Sequence, residues 1–89
     1  MAWTIDYTDT APKQLRKLDK PIARRVVNFI DDRVATVDDP RSIGHALTGP
    51  TLGAYWRYRA GDYRIICDIQ DDALRVLVIE VGNRREVYR

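Results

Sequence analysis

The residues best suited to chemistry in this sequence are arginines and tyrosines that gather in its second half. Arginine alternates with aromatic residues in the run Tyr55-Trp56-Arg57-Tyr58-Arg59. Because successive side chains of a strand point to opposite faces, Arg57 and Arg59 share one face with Tyr55. Trp56 and Tyr58 share the other face. The predicted cluster on the first face consists of Tyr55, Arg57, Arg59, Arg64, Arg84, Arg85 and Tyr88.

Such a cluster suits chemistry at RNA phosphates. Guanidinium groups hold a phosphate and stabilise the extra negative charge of a pentacovalent transition state without changing their protonation. A tyrosine stacks on a base or contacts the 2′-hydroxyl. The alternative is that these arginines are solvated residues of an exposed sheet face, each paired with a neighbouring acid. Trp56 and Tyr58 are predicted to lie in the core beneath the helices.

The sequence carries no motif typical of other classes of catalytic site. It contains no serine or cysteine nucleophile with a base, no paired-carboxylate motif, no P-loop and no dinucleotide-binding glycine pattern. His45 is the sole histidine, so it has little support as a metal ligand. It is interpreted as an exposed or packing residue of a loop, with a catalytic role as the alternative. Cys67 follows two isoleucines and is predicted to be buried. No metal or cofactor is expected.

Length and composition predict one globular domain. The chain has 89 residues, of which 45% are hydrophobic and 31% are charged. Its net charge is only +2, but twelve of its fifteen basic residues are arginine, since Lys13, Lys17 and Lys20 are the only lysines. The single cysteine, the lack of a ~20-residue apolar run and the lack of a signal pattern predict a cytoplasmic protein without membrane contact.

Hydrophobic periodicity predicts an α+β fold in the order β-α-α-β-β-β. Residues 2–7 alternate as a short strand, a first helix ends near residue 18, and a second, amphipathic helix ends around Pro40. Residues 41–53 form a loop, and strands are expected over residues 54–60, 63–70 and 74–81. The helical hairpin is expected to cover one face of a mostly antiparallel four-stranded sheet, with the last strand in the interior of the sheet.

Two stretches of the second half resemble a known family. The first is L-x-G-x-x-x-G-x-Y-W-R-Y-R-A-G-D-Y-R-I-I-C-D-I over residues 47–69, and the second is V-x-V-I-E-V-G-N-R-R-E-V-Y over residues 76–88. Together with the order of elements, they resemble the RelE/ParE toxin superfamily of bacterial type II toxin–antitoxin systems, and RelE most closely. The resemblance covers the whole chain, and its specific part is this second half.

The resemblance to RelE implies an mRNA endonuclease that cuts codons in the ribosomal A site. The 2′-hydroxyl attacks the adjacent phosphate and leaves a cyclic phosphate and a 5′-hydroxyl. By position in the motifs, Arg64 matches the residue that stabilises the transition state, and Arg84 a general acid or phosphate contact. Tyr88 matches the tyrosine that positions or stacks on the substrate base. Arg57 falls where a catalytic lysine is common, and Arg59 matches a basic phosphate contact, with Tyr55 and Arg85 as further RNA contacts.

The general base of this reaction is left open by two departures from the RelE pattern. A second lysine of the pattern falls at Tyr55, and Arg57 keeps the charge of the first lysine but not its ability to lose a proton. Tyr55, Tyr88 and substrate-assisted proton transfer are the alternatives. The alternative function within the superfamily is that of ParE, which inhibits DNA gyrase and has no nuclease site.

Both alternatives imply the same kind of protein partner. The resemblance predicts a cognate RelB-like antitoxin whose acidic and apolar segments wrap the toxin and fold as they bind. Operator DNA is expected to be bound only through the toxin–antitoxin complex. The RelE alternative adds mRNA on the ribosome, with the A site and its 16S rRNA as the surroundings of the substrate.

Overall fold

A computed structural model describes residues 3–47 and 55–83 of the chain. The elements are β1 (Thr4–Tyr7), α1 (Thr10–Arg16), α2 (Lys20–Phe29), β2 (His45–Ala46), β3 (Trp56–Ala60), β4 (Tyr63–Gln70) and β5 (Arg75–Asn83). The strands form one sheet in the order β1-β5-β4-β3-β2, in which only the β1–β5 pair is parallel. Two helices on a mostly antiparallel sheet confirm the predicted α+β class. In the described ranges, no helix has the length and apolarity needed to cross a membrane.

The second helix supplies the apolar stripe that covers the sheet. Pro21 stands in its first turn, where a missing backbone N–H costs nothing. The helix continues as a π-helical turn over Ile30–Val34, in which the Ala35 N–H donates to the Ile30 carbonyl at 2.9 Å. Val26, Ile30 and Val34 are fully buried, as their spacing predicts.

An extra residue in β5 preserves the apolar face of the sheet. Ile66 pairs with Glu80 but Cys67 pairs with Val78, so Ile79 has no opposite residue in β4. Without this bulge, residues 78 and 81 would point to opposite faces because the strand period is two. With it, Val78 and Val81 are both buried in the core.

The sheet has five strands rather than the predicted four. His45 and Ala46, predicted to lie in a loop, pair with Arg57 and Trp56 at the edge of β3. The Leu47 N–H then donates to the Tyr55 carbonyl at 3.0 Å. A two-residue strand carries no periodicity, so its pairing is decided by contact with β3 and not by a local sequence signal.

Tyr58 connects β3 to the end of the helical layer. Its side chain is only 1% exposed, and its ring lies 6.3 Å from the ring of Phe29, centroid to centroid. Its hydroxyl donates a hydrogen bond of 2.8 Å to the carbonyl of Pro40. Burial raises the pKa of this hydroxyl, so it stays a donor. Trp56 also packs against this core, which confirms that both aromatic residues of β3 face the helices.

Cys67 lies in the same core on β4. Its side chain is buried, and that burial raises the pKa of the thiol. A thiol without access to solvent and held in its protonated form is a packing group and not a nucleophile. The predicted burial of Cys67 is therefore confirmed.

Removing the Tyr58 hydroxyl is expected to lower the free energy of unfolding. In Tyr58→Phe the buried Pro40 carbonyl loses its donor, which should cost about 1–2 kcal/mol in urea denaturation. The matched control is Tyr63→Phe, because the half-buried Tyr63 makes no side-chain hydrogen bond within residues 3–47 and 55–83. That variant should stay within about 0.5 kcal/mol of wild type. Equal losses in the two variants would contradict the role given to the Tyr58–Pro40 bond.

Candidate functional site

The face of the sheet opposite the helices is the candidate site. Residues on this face alternate with the buried ones, so their positions follow from the register of the strands. One row crosses β2 to β5 and consists of His45, Arg57, Ile66 and Glu80. The neighbouring row crosses β3 to β5 and consists of Arg59, Arg64 and Gly82. The two rows place three arginines and the only histidine on one face of the sheet.

Arg64 differs from the other arginines in its burial. It is 8% exposed and is the one charged residue that is buried in the described part of the chain. It stands on β4, the middle strand of the sheet, between Arg59 on one side and Gly82 on the other. Gly82 has no side chain and is itself buried. A guanidinium held at this position is suited to contact an anion on this face of the sheet.

Arg57 and Arg59 extend this positive surface along β3. Arg59 pairs directly with Arg64 in the β3–β4 register, and Arg57 lies two residues away on the same face. Arg57 is half-buried and Arg59 is exposed. Because neighbouring strands lie ~4.8 Å apart, the three side chains can contact one phosphate or two successive phosphates. The structure therefore brings together three of the predicted site residues.

The remaining predicted site residues are not all placed by the structure. Tyr55 precedes β3, is half-buried, and contributes its carbonyl to the bond from Leu47. Arg84, Arg85 and Tyr88 lie outside the described residues. Their roles stay predictions from the resemblance.

A cavity at the β2–β3 edge brings Arg33, which the sequence did not single out, close to predicted site residues. It has a volume of about 430 Å³ and is lined by Phe29, Arg33, Ile43, His45, Arg57 and Arg59. The guanidinium of Arg33 lies 6.0 Å from the centroid of the Phe29 ring, so one wall is both aromatic and cationic. The predicted amphipathic helix places Arg33 at the edge of its apolar stripe, but nothing in the sequence indicates that this edge faces β3.

Arg75 illustrates the alternative of a solvated, paired arginine on the same sheet. Its guanidinium lies 3.3 Å from a carboxylate oxygen of Asp6 on β1, and its Nε donates to Gln70 at 2.6 Å. Both members of the ion pair are substantially exposed, so the pair adds little stability. The contacts of Arg75 thus explain its position without a ligand. Its side chain is also more exposed than that of Arg64.

A second paired arginine, Arg41, lies in the turn that precedes β2. Arg41 forms a two-pronged ion pair with Asp71, with contacts of 2.9 and 2.6 Å. The hydrogen bond from Arg41 lowers the pKa of the Asp71 carboxyl. The Arg41 guanidinium also lies 5.9 Å from the centroid of the Trp56 ring. These contacts tie the turn before β2 to the β4–β5 connection, and so hold β2 in place.

Gly44 allows β2 to approach β3 closely. A Cβ at this position would lie 3.0 Å from Cε1 of Tyr58 and 3.2 Å from the carbonyl oxygen of Arg57. The φ of Gly44 is −116°, so its backbone conformation is open to any residue and only the contact requires glycine. The close approach sets the position of His45, the next residue, against Arg57.

A methyl group at Gly44 is expected to lower the free energy of unfolding by about 1–3 kcal/mol, because Tyr58 and the β3 backbone must move away. Urea denaturation of Gly44→Ala measures this loss. The control is the same change in a Tyr58→Leu background, where the ring contact is absent and the added loss should be smaller. Equal losses in both backgrounds would contradict the contact with the ring as the cause.

Comparison with known proteins places this chain in a family. The model of the family described as the ParE toxin of type II toxin–antitoxin systems, parDE, matches residues 5–88. Toxin RelG of Mycobacterium tuberculosis is 30% identical over 89 residues, which cover 100% of this chain and 99% of that protein. The mRNA interferase toxin RelE of Escherichia coli is 29% identical over 90 residues, which cover 99% of this chain and 92% of that protein.

Solved structures agree with these matches. A chain of the toxin–antitoxin complex RelBE2 from Mycobacterium tuberculosis superposes with a TM-score of 0.85 at 28% identity, over 97% of this chain and 95% of that one. The isolated RelE toxin of Escherichia coli superposes with a TM-score of 0.70 at 23% identity, over 98% and 92%, which is a likeness of fold. By family model, sequence and fold, this chain belongs to the RelE/ParE superfamily of type II toxin–antitoxin toxins.

Proposed function

We propose that this toxin is a ribosome-dependent mRNA endonuclease that cuts codons in the A site and so inhibits translation. The observation that carries the proposal is the buried Arg64 at the middle of the sheet face opposite the helices, with Arg59 beside it and Arg57 in the next row. Three guanidiniums on one surface suit a phosphodiester that gains negative charge in its transition state. The similarity to a protein named mRNA interferase toxin RelE supports the same reaction class.

The proposed reaction is an intramolecular phosphoryl transfer. The 2′-oxygen of the substrate forms a bond to the adjacent phosphorus while the bond from phosphorus to the 5′-oxygen breaks, leaving a 2′,3′-cyclic phosphate and a 5′-hydroxyl. Arg64 contacts the non-bridging oxygens, because a side chain held by the sheet needs no reorganisation as charge develops. Arg57 and Arg59 hold this phosphate and the next one. The role of Arg84 as general acid or phosphate contact, and that of Tyr88 in positioning or stacking on the substrate's nucleobase, are implied by the resemblance alone.

Dependence on the ribosome fits the shape of this surface. Within residues 3–47 and 55–83, the three arginines lie on one sheet face as phosphate contacts, so this part of the toxin does little to align the 2′-oxygen, the phosphorus and the leaving oxygen. Alignment of reacting groups contributes a large part of the rate of such a step. The ribosome supplies it by holding the A-site codon and its surrounding 16S rRNA in one geometry.

We further propose a RelB-like antitoxin as the protein partner. Related toxins have been solved in complexes with RelB, as in the RelE–RelB complex from Pyrococcus horikoshii. An acidic antitoxin segment that lies on the arginine face would neutralise the toxin by occupying the surface for RNA. Operator DNA is bound through this complex and not by the toxin alone.

ParE-like inhibition of DNA gyrase is the second candidate function. It is favoured by the description of the matching family model, which names the ParE toxin. A gyrase inhibitor needs a binding surface but no transition-state stabilisation. The two candidates therefore differ in whether mRNA is cut and in whether the loss of Arg64 abolishes a chemical step.

Primer extension on an mRNA that is being translated in a cell-free system tests the proposal. Purified toxin is expected to produce cuts within codons at the A site, and no cuts when ribosomes are omitted. Intact mRNA, from toxin that is folded by circular dichroism and binds its antitoxin, would contradict the proposal. Gyrase supercoiling is then the assay that distinguishes ParE-like inhibition.

Loss of Arg64 is expected to lower the cleavage rate about 10²–10³-fold, because a donor to the transition-state charge is removed. Arg64→Lys, which keeps the charge but not the two-pronged geometry, should also be impaired. Arg75→Ala is the matched control, since it removes an exposed arginine of the same sheet and should keep wild-type cleavage. Equal cleavage by Arg64→Ala and wild type, with antitoxin binding intact in both, would exclude Arg64 from the site.

A further inference from the structure

The proposed cleavage reaction needs a group that removes the proton of the 2′-hydroxyl. The arginines of the candidate site cannot take this role, because a guanidinium stays protonated at any pH at which proteins function. A lysine, which the resemblance leads one to expect, is absent at positions 55 and 57. The site therefore contains positive charge for the phosphate but no acceptor among its predicted members on β3 and β4.

We propose that His45 is the general base of this reaction, an inference that rests on the proposed function. His45 lies on β2 with its Cα directly opposite that of Arg57, and it is exposed on the same face as the arginines. It lines the cavity of about 430 Å³ together with Arg57 and Arg59. An imidazole is the side chain that ordinarily gains and loses a proton between pH 5 and pH 8.

The distance between His45 and Arg64 fits a bound nucleotide. His45 is two strands from Arg64 and one row away, in the register that pairs His45 with Arg57 and Arg57 with Ile66. Strand spacings of ~4.8 Å and a rise of ~3.4 Å per residue put the two Cα atoms about 12 Å apart. Side chains that rise from the sheet at these positions, rather than extend toward each other, can contact the 2′-hydroxyl and the 3′-phosphate of one ribose. The base then contacts the 2′-hydroxyl while Arg64 contacts the phosphate.

The surroundings of His45 leave its imidazole available for this role. In residues 3–47 and 55–83, the imidazole takes part in no hydrogen bond or ion pair that would give it a structural function. The charged groups that line the cavity with it are Arg57 and Arg59 of β3 and Arg33 of the π-helical turn. A guanidinium has no lone pair that accepts a proton, whereas a neutral imidazole has one. Among the described lining residues, His45 is thus the one whose side chain can act as a proton acceptor.

The proton balance of the step is complete. The lone pair of a neutral imidazole nitrogen takes the proton from the 2′-oxygen as that oxygen bonds to phosphorus. The electron pair of the breaking bond leaves with the 5′-oxygen, which takes up a proton from the general acid or from water. The imidazolium then returns its proton to solvent, so the enzyme is regenerated and no oxidant, reductant or metal enters the step.

Single-turnover cleavage by toxin in excess over programmed ribosomes tests this inference across pH 6–8.5. The wild-type rate is expected to rise with pH as the imidazole loses its proton, since only the neutral form accepts one. His45→Ala and His45→Gln should cleave about 10²–10⁴-fold more slowly, with binding to ribosomes unchanged in co-sedimentation and with the rise with pH lost. Added imidazole should restore part of the rate of His45→Ala. Arg33→Ala changes the same cavity and should keep the rise with pH.

The outcomes separate the inference from the function on which it rests. If wild-type toxin does not cut mRNA on ribosomes, the proposed function fails and the role of His45 fails with it. If wild type cuts and both His45 variants cut at the same rate with the same pH profile, His45 is not the base and the proposed function stands. If the variants lose ribosome binding in proportion to their rate and imidazole restores nothing, His45 is a binding residue, which also overturns the inference.

Discussion

Alternation of side chains along β3 is the constraint on which both the core and the candidate site depend. Trp56 and Tyr58 enter the core from the same strand that presents Arg57 and Arg59 to the open face. A shift of one residue in the β3–β4 register would bury guanidiniums and expose aromatic rings, at a large cost in free energy. The packing that stabilises the fold thus also fixes which side chains meet on the open surface.

Contacts outside the strand reinforce this register. The hydrogen bond from the Tyr58 hydroxyl to Pro40 connects the strand to the turn that follows the helical layer. The bulge at Ile79 corrects the alternation of β5, so that Val81 faces the core and Gly82 lies beside Arg64. The position of Gly82 beside the buried arginine therefore results from apolar packing on the other side of the sheet. The site needs no structural element of its own.

Long periodic segments made much of this fold predictable, while short elements and tertiary contacts did not. The α+β class, the helical hairpin and the two faces of β3 follow from periods of 3.6 and 2 that extend over many residues. The β2 strand is too short to have a period, and the π-helical turn at Ile30 keeps the same buried stripe as an α-helix. Alternation alone also could not distinguish the buried Arg64 from the exposed, paired Arg75, because burial depends on the position of the strand in the sheet.

The residues of the candidate site on β3 and β4 could be predicted from the sequence, whereas those at the β2–β3 edge could not. Arg57, Arg59 and Arg64 belong to consecutive strands, so antiparallel pairing alone brings them together. Arg33 and His45 reach the same cavity from a helix and from an edge strand, a meeting that depends on how the helical layer packs on the sheet. Gly44 gave no signal either, since its role is a close approach between two segments and not an unusual backbone conformation.

The chemistry of the cut ends is the most direct test of the central claim, which is that the arginine face promotes attack of a 2′-hydroxyl on the adjacent phosphate. The measurement is mass spectrometry of the fragments from a short mRNA bound to ribosomes, with a matched mRNA that carries one 2′-deoxynucleotide at the cut position. The account predicts a 2′,3′-cyclic phosphate and a 5′-hydroxyl from the first mRNA, and no cut at that position in the second. Fragments with a 3′-hydroxyl and a 5′-phosphate, or an unchanged cut in the 2′-deoxy mRNA, would contradict it.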